Sequence, residues 1–290
     1  MTARKKILVT GSNGQLGSAL QEWAPQYPDY TFVFTGRAEL SVTDPAAVDA
    51  FFQKEKPDYC IHCAAYTAVD KAEDPAEQPR AEQVNALAVE YLAKACTRYR
   101  SKLVHISTDY VFPGTGTQPY KETDATGPVS VYGVTKLKGE ELALKNTDAL
   151  VIRTAWVYSI WGKNFVKTMV RLMQERNQLN VVSDQYGSPT YAPDLAAAIL
   201  KIVASEKWLP GIFHYSNEGE ISWYEFALAI KEITHADCDL KAIPTSAYPT
   251  PAKRPAWSVL DKTKIKNAYG IEIPAWTESL AICLNRLLAS

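Results

Sequence analysis

The sequence predicts an α/β fold with a doubly wound parallel sheet and a smaller C-terminal lobe, on three observations. Short β-rich runs alternate with helical patterns through the first half of the chain. Three evenly spaced glycines join the first run to the first helical pattern. After about residue 155 the alternation gives way to long loops between shorter helices. Repeated βα units lay strands side by side in parallel and put the connecting helices on both faces. The expected division is residues 1–155, with core strands and helices that can extend past it, and residues 156–290 as mainly a second lobe.

The elements follow in order. Residues 6–10 (KILVT) are the first strand, an apolar β-rich run, and 15–23 the first helix. Residues 30–35 (YTFVFT) are a strand of aromatic and β-branched residues, followed by a helix over 45–54. The apolar run 59–63 is a buried strand, and a long helix covers 80–98. Strand 102–107, helix 128–145 and strand 149–153 complete the alternating half. Beyond it, helices are expected at 164–175, 194–204, 222–234 and 278–288, between Pro-, Tyr- and Ser-rich loops at 183–193 and 244–255.

Composition excludes several function classes. The 31 basic and 32 acidic residues leave a net charge of −1, so no global field attracts nucleic acid or an anionic membrane. No apolar run approaches the roughly 20 residues of a membrane span. The basic N-terminus runs straight into a short β-type stretch without the apolar region of a signal peptide, so a cytoplasmic location is expected. Five cysteines, an odd number, suggest free thiols in a reducing compartment. Cys60-Ile61-His62-Cys63 spells C-x-x-C, but no second pair completes a metal set, and these read as small strand residues. No metal site is expected.

The glycines at 11, 14 and 17 form G-x-x-G-x-x-G in a strand–turn–helix context. Such a turn lets backbone N–H groups approach a pyrophosphate at a helix N-terminus, so the first half reads as a Rossmann-type dinucleotide-binding domain. Candidate cofactor contacts there are Gly11, Asn13, Gly14, Gln15, Leu16 and Gly17. An NAD site usually carries an acidic residue at the end of the second strand; here that strand ends Thr35-Gly36-Arg37. Arg37 can pair with a 2′-phosphate, which favours NADPH over NADH, or it is an ordinary exposed loop charge. Thr35, Arg37, Ser41 and Val42 are the candidates around the adenosine.

Ser107-Thr108-Asp109-Tyr110 follows the strand 102–107 at the edge where such sheets present ligand groups, and Tyr132 and Lys136 sit on the next helix. Hydride transfer to a ketone makes an alkoxide that must be protonated as it forms. A tyrosine of pKa about 10 is a poor acid–base group at neutral pH, and an ammonium nearby favours its phenolate. Spacing i, i+4 puts Tyr132 and Lys136 on one helix face, and Thr108 can hydrogen-bond the same substrate oxygen. The pair alone also suits a solvated helix face; its position after a nucleotide turn and the Ser-Thr-Asp segment makes the catalytic reading.

These motifs, with residues 63–73 (CAAYTAVDKAE), resemble the extended short-chain dehydrogenase/reductases. More narrowly, STDYVFPGTG, RTAWVY, DQYGSPTYA and PTSAYPTPAKRP resemble the branch that reduces dTDP-linked 4-keto sugars, the dTDP-4-dehydrorhamnose reductases, from about residue 5 to residue 288. The resemblance implies NADPH or NADH as cofactor and a dTDP-linked 4-keto-6-deoxy sugar as substrate. It implies Tyr132 as proton donor, Lys136 on the nicotinamide ribose and tuning the tyrosine, and Thr108 completing the triad. Gly14, Gln15 and Leu16 would meet the pyrophosphate, and Ala64, Ala65, Tyr66 and Thr67 would line the cofactor. Thr108, Asp109, Tyr110, Tyr132 and Trp156 would meet the sugar nucleotide. Arg254 would pair with its diphosphate, which is also the natural reading of a guanidinium. Asn85 would support the active-site backbone.

The chain also departs from the pattern. Ser41-Val42-Thr43-Asp44 stands where relatives often begin with Asp, and His62 where they often have Asn. The first helix offers only Glu22 to a metal of the kind that bridges some family dimers, so a monomer or a metal-free homodimer is expected. Gly139-Glu140-Glu141 reads as a solvated helix face, most tryptophans as core, and His105, His214 and His235 as without chemistry. Two other functions fit the same motifs: a reductase or epimerase of another nucleotide sugar, and a catalytically silent NADP-binding regulatory subunit. The intact Thr108, Tyr132 and Lys136 argue against the latter.

Overall fold

A computed structural model describes residues 4–289. In chain order the first half is β1 (Lys5–Thr10), α1 (Gln15–Trp23), β2 (Tyr30–Thr35), α2 (Pro45–Glu55), β3 (Tyr59–His62), α3 (Gln78–Glu82), α4 (Ala88–Tyr99), β4 (Lys102–Thr108), α5 (Val131–Asn146) and β5 (Leu150–Thr154). The second half is β6 (Val157–Tyr158), α6 (Phe165–Glu175), β7 (Gln178–Val182), β8 (Tyr186–Gly187), β9 (Thr190–Tyr191), α7 (Ala192–Ala204), β10 (Gly211–His214), β11 (Ile221–Ser222), α8 (Trp223–Thr234), β12 (Asp239–Ile243), α9 (Thr263–Tyr269) and α10 (Trp276–Leu288).

Six strands pair in the order β10-β5-β4-β3-β1-β2, and every neighbouring pair is parallel. The chain reverses direction across the sheet between β1 and β3, and this switch opens a crevice at the carboxyl ends of those strands. One face packs Ile7, Val9, Ile61, Val104 and Ile152 against α1, α7 and α9; the other packs Leu8, Cys60, Leu103 and Val151 against α2, α4 and α5. Burying each such aliphatic side chain is worth about 1.5–3 kcal/mol, which makes the sheet the rigid floor of the crevice. The lobe has its own core, where α6, α8 and α10 close over the parallel pair β7 and β12 around Phe226.

Three departures from expectation have local causes. The sheet's last strand, β10, comes from the second half, as does α7 against α1. β10 is only four residues and starts at Gly211 with φ +123, too short for a periodicity to register. The long helix expected over 80–98 is α3 and α4 joined by a π-helical turn, Gln83–Leu87. Helix α5 starts at Val131 rather than 128, because the Ser130 side chain accepts from Gly133 N–H and caps it.

One expectation is corrected. Gly139-Glu140-Glu141 is not a solvated face: Glu140 is 1% exposed and grips the equally buried Arg153 through hydrogen bonds of 2.7–3.2 Å. Both sides of α5 are covered, one by the sheet and the other by α4 and the π turn, so only Glu141 of that trio reaches solvent. Among the described residues all five cysteines are unpaired, and no helix is long and apolar enough to cross a membrane.

Candidate active site

The glycine turn lies against the loop after β3. Gly11 has φ +69, and a Cβ there would stand 2.5 Å from Ala64 N, so only glycine fits. A Cβ on Gly17 would meet the Gly11 carbonyl at 2.4 Å, which is why α1 can leave the strand so steeply. The N-terminus of α1 at Gly14 has no side-chain cap and no acidic residue in its first turn. Its free N–H groups and partial positive charge therefore suit a pyrophosphate. The residues present thus fit a dinucleotide.

The individual candidates divide into three groups. Gln15 and Leu16 supply backbone at this turn, but the Gln15 side chain is committed elsewhere. It donates to Val157 O at 3.2 Å and accepts from Ser159 Oγ and Asn164 Nδ2, both at 2.9 Å, tying α1 to the lobe. Thr35 is buried with its hydroxyl on Val9 O, so it holds the strand end rather than facing a ligand. Asn13 lies beside Gly36, Arg37 is exposed without a hydrogen-bond or ion-pair partner among the described residues, and Ser41 and Val42 are half-buried, with the Ser41 hydroxyl on Thr43. Glu39, which sequence reasoning passed over, folds back to accept from Gly36 N–H at 2.8 Å.

Across the switch, Ala64, Ala65, Tyr66 and Thr67 extend from β3 along the crevice. Asn85, in the π turn, holds them in place: its Oδ1 accepts from Tyr66 N–H at 2.8 Å while its Nδ2 donates to Tyr66 O and to Thr135 Oγ1. A π turn inside a helix commonly marks a functional site, and here it turns an asparagine into a brace between α5 and the loop after β3.

Thr108 and Asp109 end β4 almost wholly buried, and the Thr108 hydroxyl donates to Asp109 Oδ1 at 2.9 Å. The rings of Tyr110 and Tyr132 meet edge to face with centroids 5.6 Å apart, which brings α5 over the end of β4. Burial pushes the Tyr132 phenol up to about 12, while the neighbouring Thr108 hydroxyl lowers it and Asp109 raises it. Burial likewise raises the Asp109 carboxyl to about 6, against the lowering pull of the Ser258 and Thr108 hydroxyls. Tyr110 is driven well above its ordinary range by burial, with Arg254 opposing.

Lys136 lies one helical turn beyond Tyr132 and is 2% exposed. Its ammonium donates to Ile106 O at 2.5 Å, beneath the site. Burial lowers it to about 8, and the carboxylate of Glu140, a further turn along α5, pulls it back up. Lys136 is not among the groups that act on the Tyr132 phenol; its ammonium is turned to Ile106 O. His62 and His105 stack below, their centroids 5.5 Å apart, and burial keeps both neutral.

The lobe supplies the other wall. Trp156 has a rare φ of +49 for a non-glycine residue and stacks on Trp223 with centroids 3.5 Å apart. Arg254 reaches across from the loop before α9, and its Nη2 donates to Asp70 Oδ2 at 2.7 Å. Besides Glu39, sequence reasoning missed Asp70, Ser258 and the buried Glu140. Asp70 lies inside a quoted motif, but its partner is 184 positions away and no local pattern links the two.

Comparison with known proteins supplies the family. The family model described as the RmlD substrate binding domain matches residues 5–289. A dTDP-4-dehydrorhamnose reductase of Aggregatibacter actinomycetemcomitans is 41% identical over 286 residues, 95% of this chain and 97% of its own length. The spore coat polysaccharide biosynthesis protein SpsK of Bacillus subtilis is 42% identical over 95% of both chains. Among solved structures, a dTDP-4-dehydrorhamnose reductase of Clostridium acetobutylicum superposes with TM-score 0.93 at 39% identity, covering 98% of this chain and 99% of that one. The Bacillus anthracis dTDP-4-dehydrorhamnose reductase, solved in complex with NADP, superposes with TM-score 0.92 at 36% identity and the same coverage. A family model spanning nearly the whole chain, with relatives near 40% identity over their full length, settles the family: the chain belongs to the dTDP-4-dehydrorhamnose reductases.

Proposed function

We propose that the protein reduces the 4-keto group of dTDP-4-dehydro-6-deoxy-L-mannose (dTDP-4-dehydrorhamnose) to give dTDP-L-rhamnose, with NADPH preferred to NADH. The observation that carries this reading is Tyr132 on α5 set against Tyr110 and Thr108 at the end of β4, in a chain of this family. The cofactor supplies hydride to C4 when bound. Tyr132 gives its phenolic proton to the oxygen as it becomes an alkoxide, and solvent reprotonates the phenolate. A phenol held near 12 is fully protonated at neutral pH, the form a donor needs, and an alkoxide is basic enough to take its proton. Thr108 positions the keto oxygen, Asp109 and Trp156 hold the sugar, and Arg254 meets the diphosphate. Arg37 favours NADPH by pairing with its 2′-phosphate. Five unpaired cysteines suit a cytoplasmic enzyme.

The test is oxidation of NADPH with dTDP-6-deoxy-L-lyxo-4-hexulose, beside the UDP- and GDP-linked analogues. Robust turnover of the dTDP substrate is expected. Turnover of UDP-linked sugars alone would reject the proposal in favour of another nucleotide-sugar reductase.

A further inference from the structure

Arg254 is held in an unusual way for a residue at a ligand edge. Its Nη2 donates to Asp70 Oδ2 at 2.7 Å, yet Nη1 is buried with no hydrogen-bond partner among the described residues. The second oxygen of the same carboxylate, Asp70 Oδ1, accepts from Ala252 N–H at 3.3 Å. One side chain on the loop after β3 therefore fixes both the arginine and the backbone two residues before it. The segment is anchored from the other side as well: Trp257 N–H donates to Gly114 O at 3.1 Å, and Pro255 packs where any Cβ on Gly114 would collide. The guanidinium lies close enough to Tyr110 for its charge to act on that phenol, and Tyr110 touches Tyr132.

A pair whose side chains are 21% and 41% exposed contributes little to stability, since exposed ion pairs are screened and cost side-chain entropy. Its consequence lies elsewhere. A guanidinium forks its donors in a plane, so fixing Nη2 and its carboxylate partner fixes where the remaining donors point. A buried donor without a partner is costly to leave unmade, and an incoming anionic oxygen relieves that cost. We infer that Asp70 is a positioning residue: it holds Arg254 so that Nη1 is presented to the diphosphate of the nucleotide sugar, linking the cofactor half of the crevice to substrate recognition by the lobe. This rests on the proposed role of Arg254 at the diphosphate.

The test is a double-mutant cycle on the whole protein saturated with NADPH, using dTDP as the probe in calorimetry and kcat and KM with the keto sugar. Asp70→Asn keeps an acceptor for Ala252 N–H and removes the charge that orients the arginine. Arg254→Ala is expected to weaken dTDP by about thirtyfold or more and Asp70→Asn by about fivefold to tenfold, with the double variant no weaker than Arg254→Ala alone. The loss appears in KM, with kcat and NADPH affinity nearly unchanged, a split that a merely structural role does not produce. Asp70→Asn binding dTDP as tightly as the parent overturns the inference. So does tighter binding, which makes the pair a competitor of the substrate, or a double variant with additive losses. Arg254→Ala without effect overturns the role of Arg254 and the inference together. UDP carries the same diphosphate, so the cycle repeated with UDP separates failure of positioning from failure of the dTDP assignment.

Discussion

On the sheet side of the crevice, the backbone places the chemical groups. Thr108 and Asp109 continue β4, Tyr132 and Lys136 ride on a helix capped by Ser130, and Asn85 locks the loop after β3 through two bonds to one residue, Tyr66. On the lobe side, side chains reaching over from distant segments do the placing: Gln15 to Val157 and Ser159, Arg254 to Asp70, Trp156 onto Trp223. Hydrogen-bonded backbone in a packed sheet defines positions to a fraction of an ångström, as proton transfer requires. Side-chain bridges can re-form around a ligand, as recognition of a large sugar nucleotide requires. Under the proposed function this difference puts rate on one wall and affinity on the other, and substitutions on each wall can break that assignment.

The largest expected effect is on the sheet wall. Tyr132→Phe removes the proposed proton donor but keeps the ring that packs on Tyr110, so turnover should fall at least about a hundredfold with little change in KM for the keto sugar. Stopped-flow or steady-state NADPH oxidation reads it directly, and equal rates would remove Tyr132 from the mechanism. A loss carried mainly in KM would instead erase the division of labour between the walls.

Gly139→Ala tests whether the sheet wall depends on close backbone packing. An ideal Cβ at this position would stand 2.1 Å from the Asn85 carbonyl oxygen, nearer than any real contact. Helix α5 must then move off the π turn, and overpacking of this kind costs up to about 3 kcal/mol. Chemical denaturation should show that loss, with a parallel fall in kcat because Asn85 also braces Tyr66 and Thr135. Parent-like stability would mean that the two elements are not rigidly coupled.

The same contrast explains what could be read from the sequence. The glycine turn, the strand runs of the first half and the Tyr132–Lys136 spacing are local patterns, and local patterns position the sheet wall. Glu140 was misread because α5 has no apolar stripe: its buried positions are Gly133, Thr135, Lys136, Gly139, Glu140 and Ala143, mostly small or polar. A helix covered on both sides in this way gives no periodic signal of which charges are inside. Asp70 and Ser258 were invisible for another reason. Their roles arise only when loops far apart in sequence meet, and neither loop carries a periodicity.

The buried histidines offer a smaller and purely pH-dependent test. His62 has its ordinary value of 6.5 lowered to about 3, by burial first and then by the Lys136 charge. Below pH 6.5 the unfolded chain binds a proton that the folded one does not, so this residue's contribution to stability is fully present above 6.5 and lost progressively down to about 3. Between pH 7 and 5 that loss is about 2 kcal/mol, from 1.4 kcal/mol per pH unit. His62→Asn should flatten the acid limb of the stability curve by about this amount, whatever it does at pH 7. An unchanged slope between parent and variant would show that His62 takes up its proton without unfolding.

The smallest expected effect concerns the two arginines proposed to meet phosphate, one on each wall. Arg254 is half-buried and held by Asp70; Arg37 is exposed and unpartnered at the end of β2. A held guanidinium is already oriented, while a free one must lose rotamer freedom to grip its ligand and competes with bulk solvent. Arg37→Ala should therefore lower the preference for NADPH over NADH only about tenfold, near 1.4 kcal/mol, without altering dTDP binding. Glu39 sharpens the comparison. Its carboxylate accepts from Gly36 N–H, one residue from Arg37. Glu39→Gln should shift the preference the other way, towards NADPH, by less than Arg37→Ala shifts it towards NADH. Measured kcat/KM for both cofactors in the two variants decides the matter. A cofactor preference unmoved by Arg37→Ala would make Arg37 an ordinary surface charge and leave the adenosine end to be read by Ser41, Thr43 and the backbone of the turn.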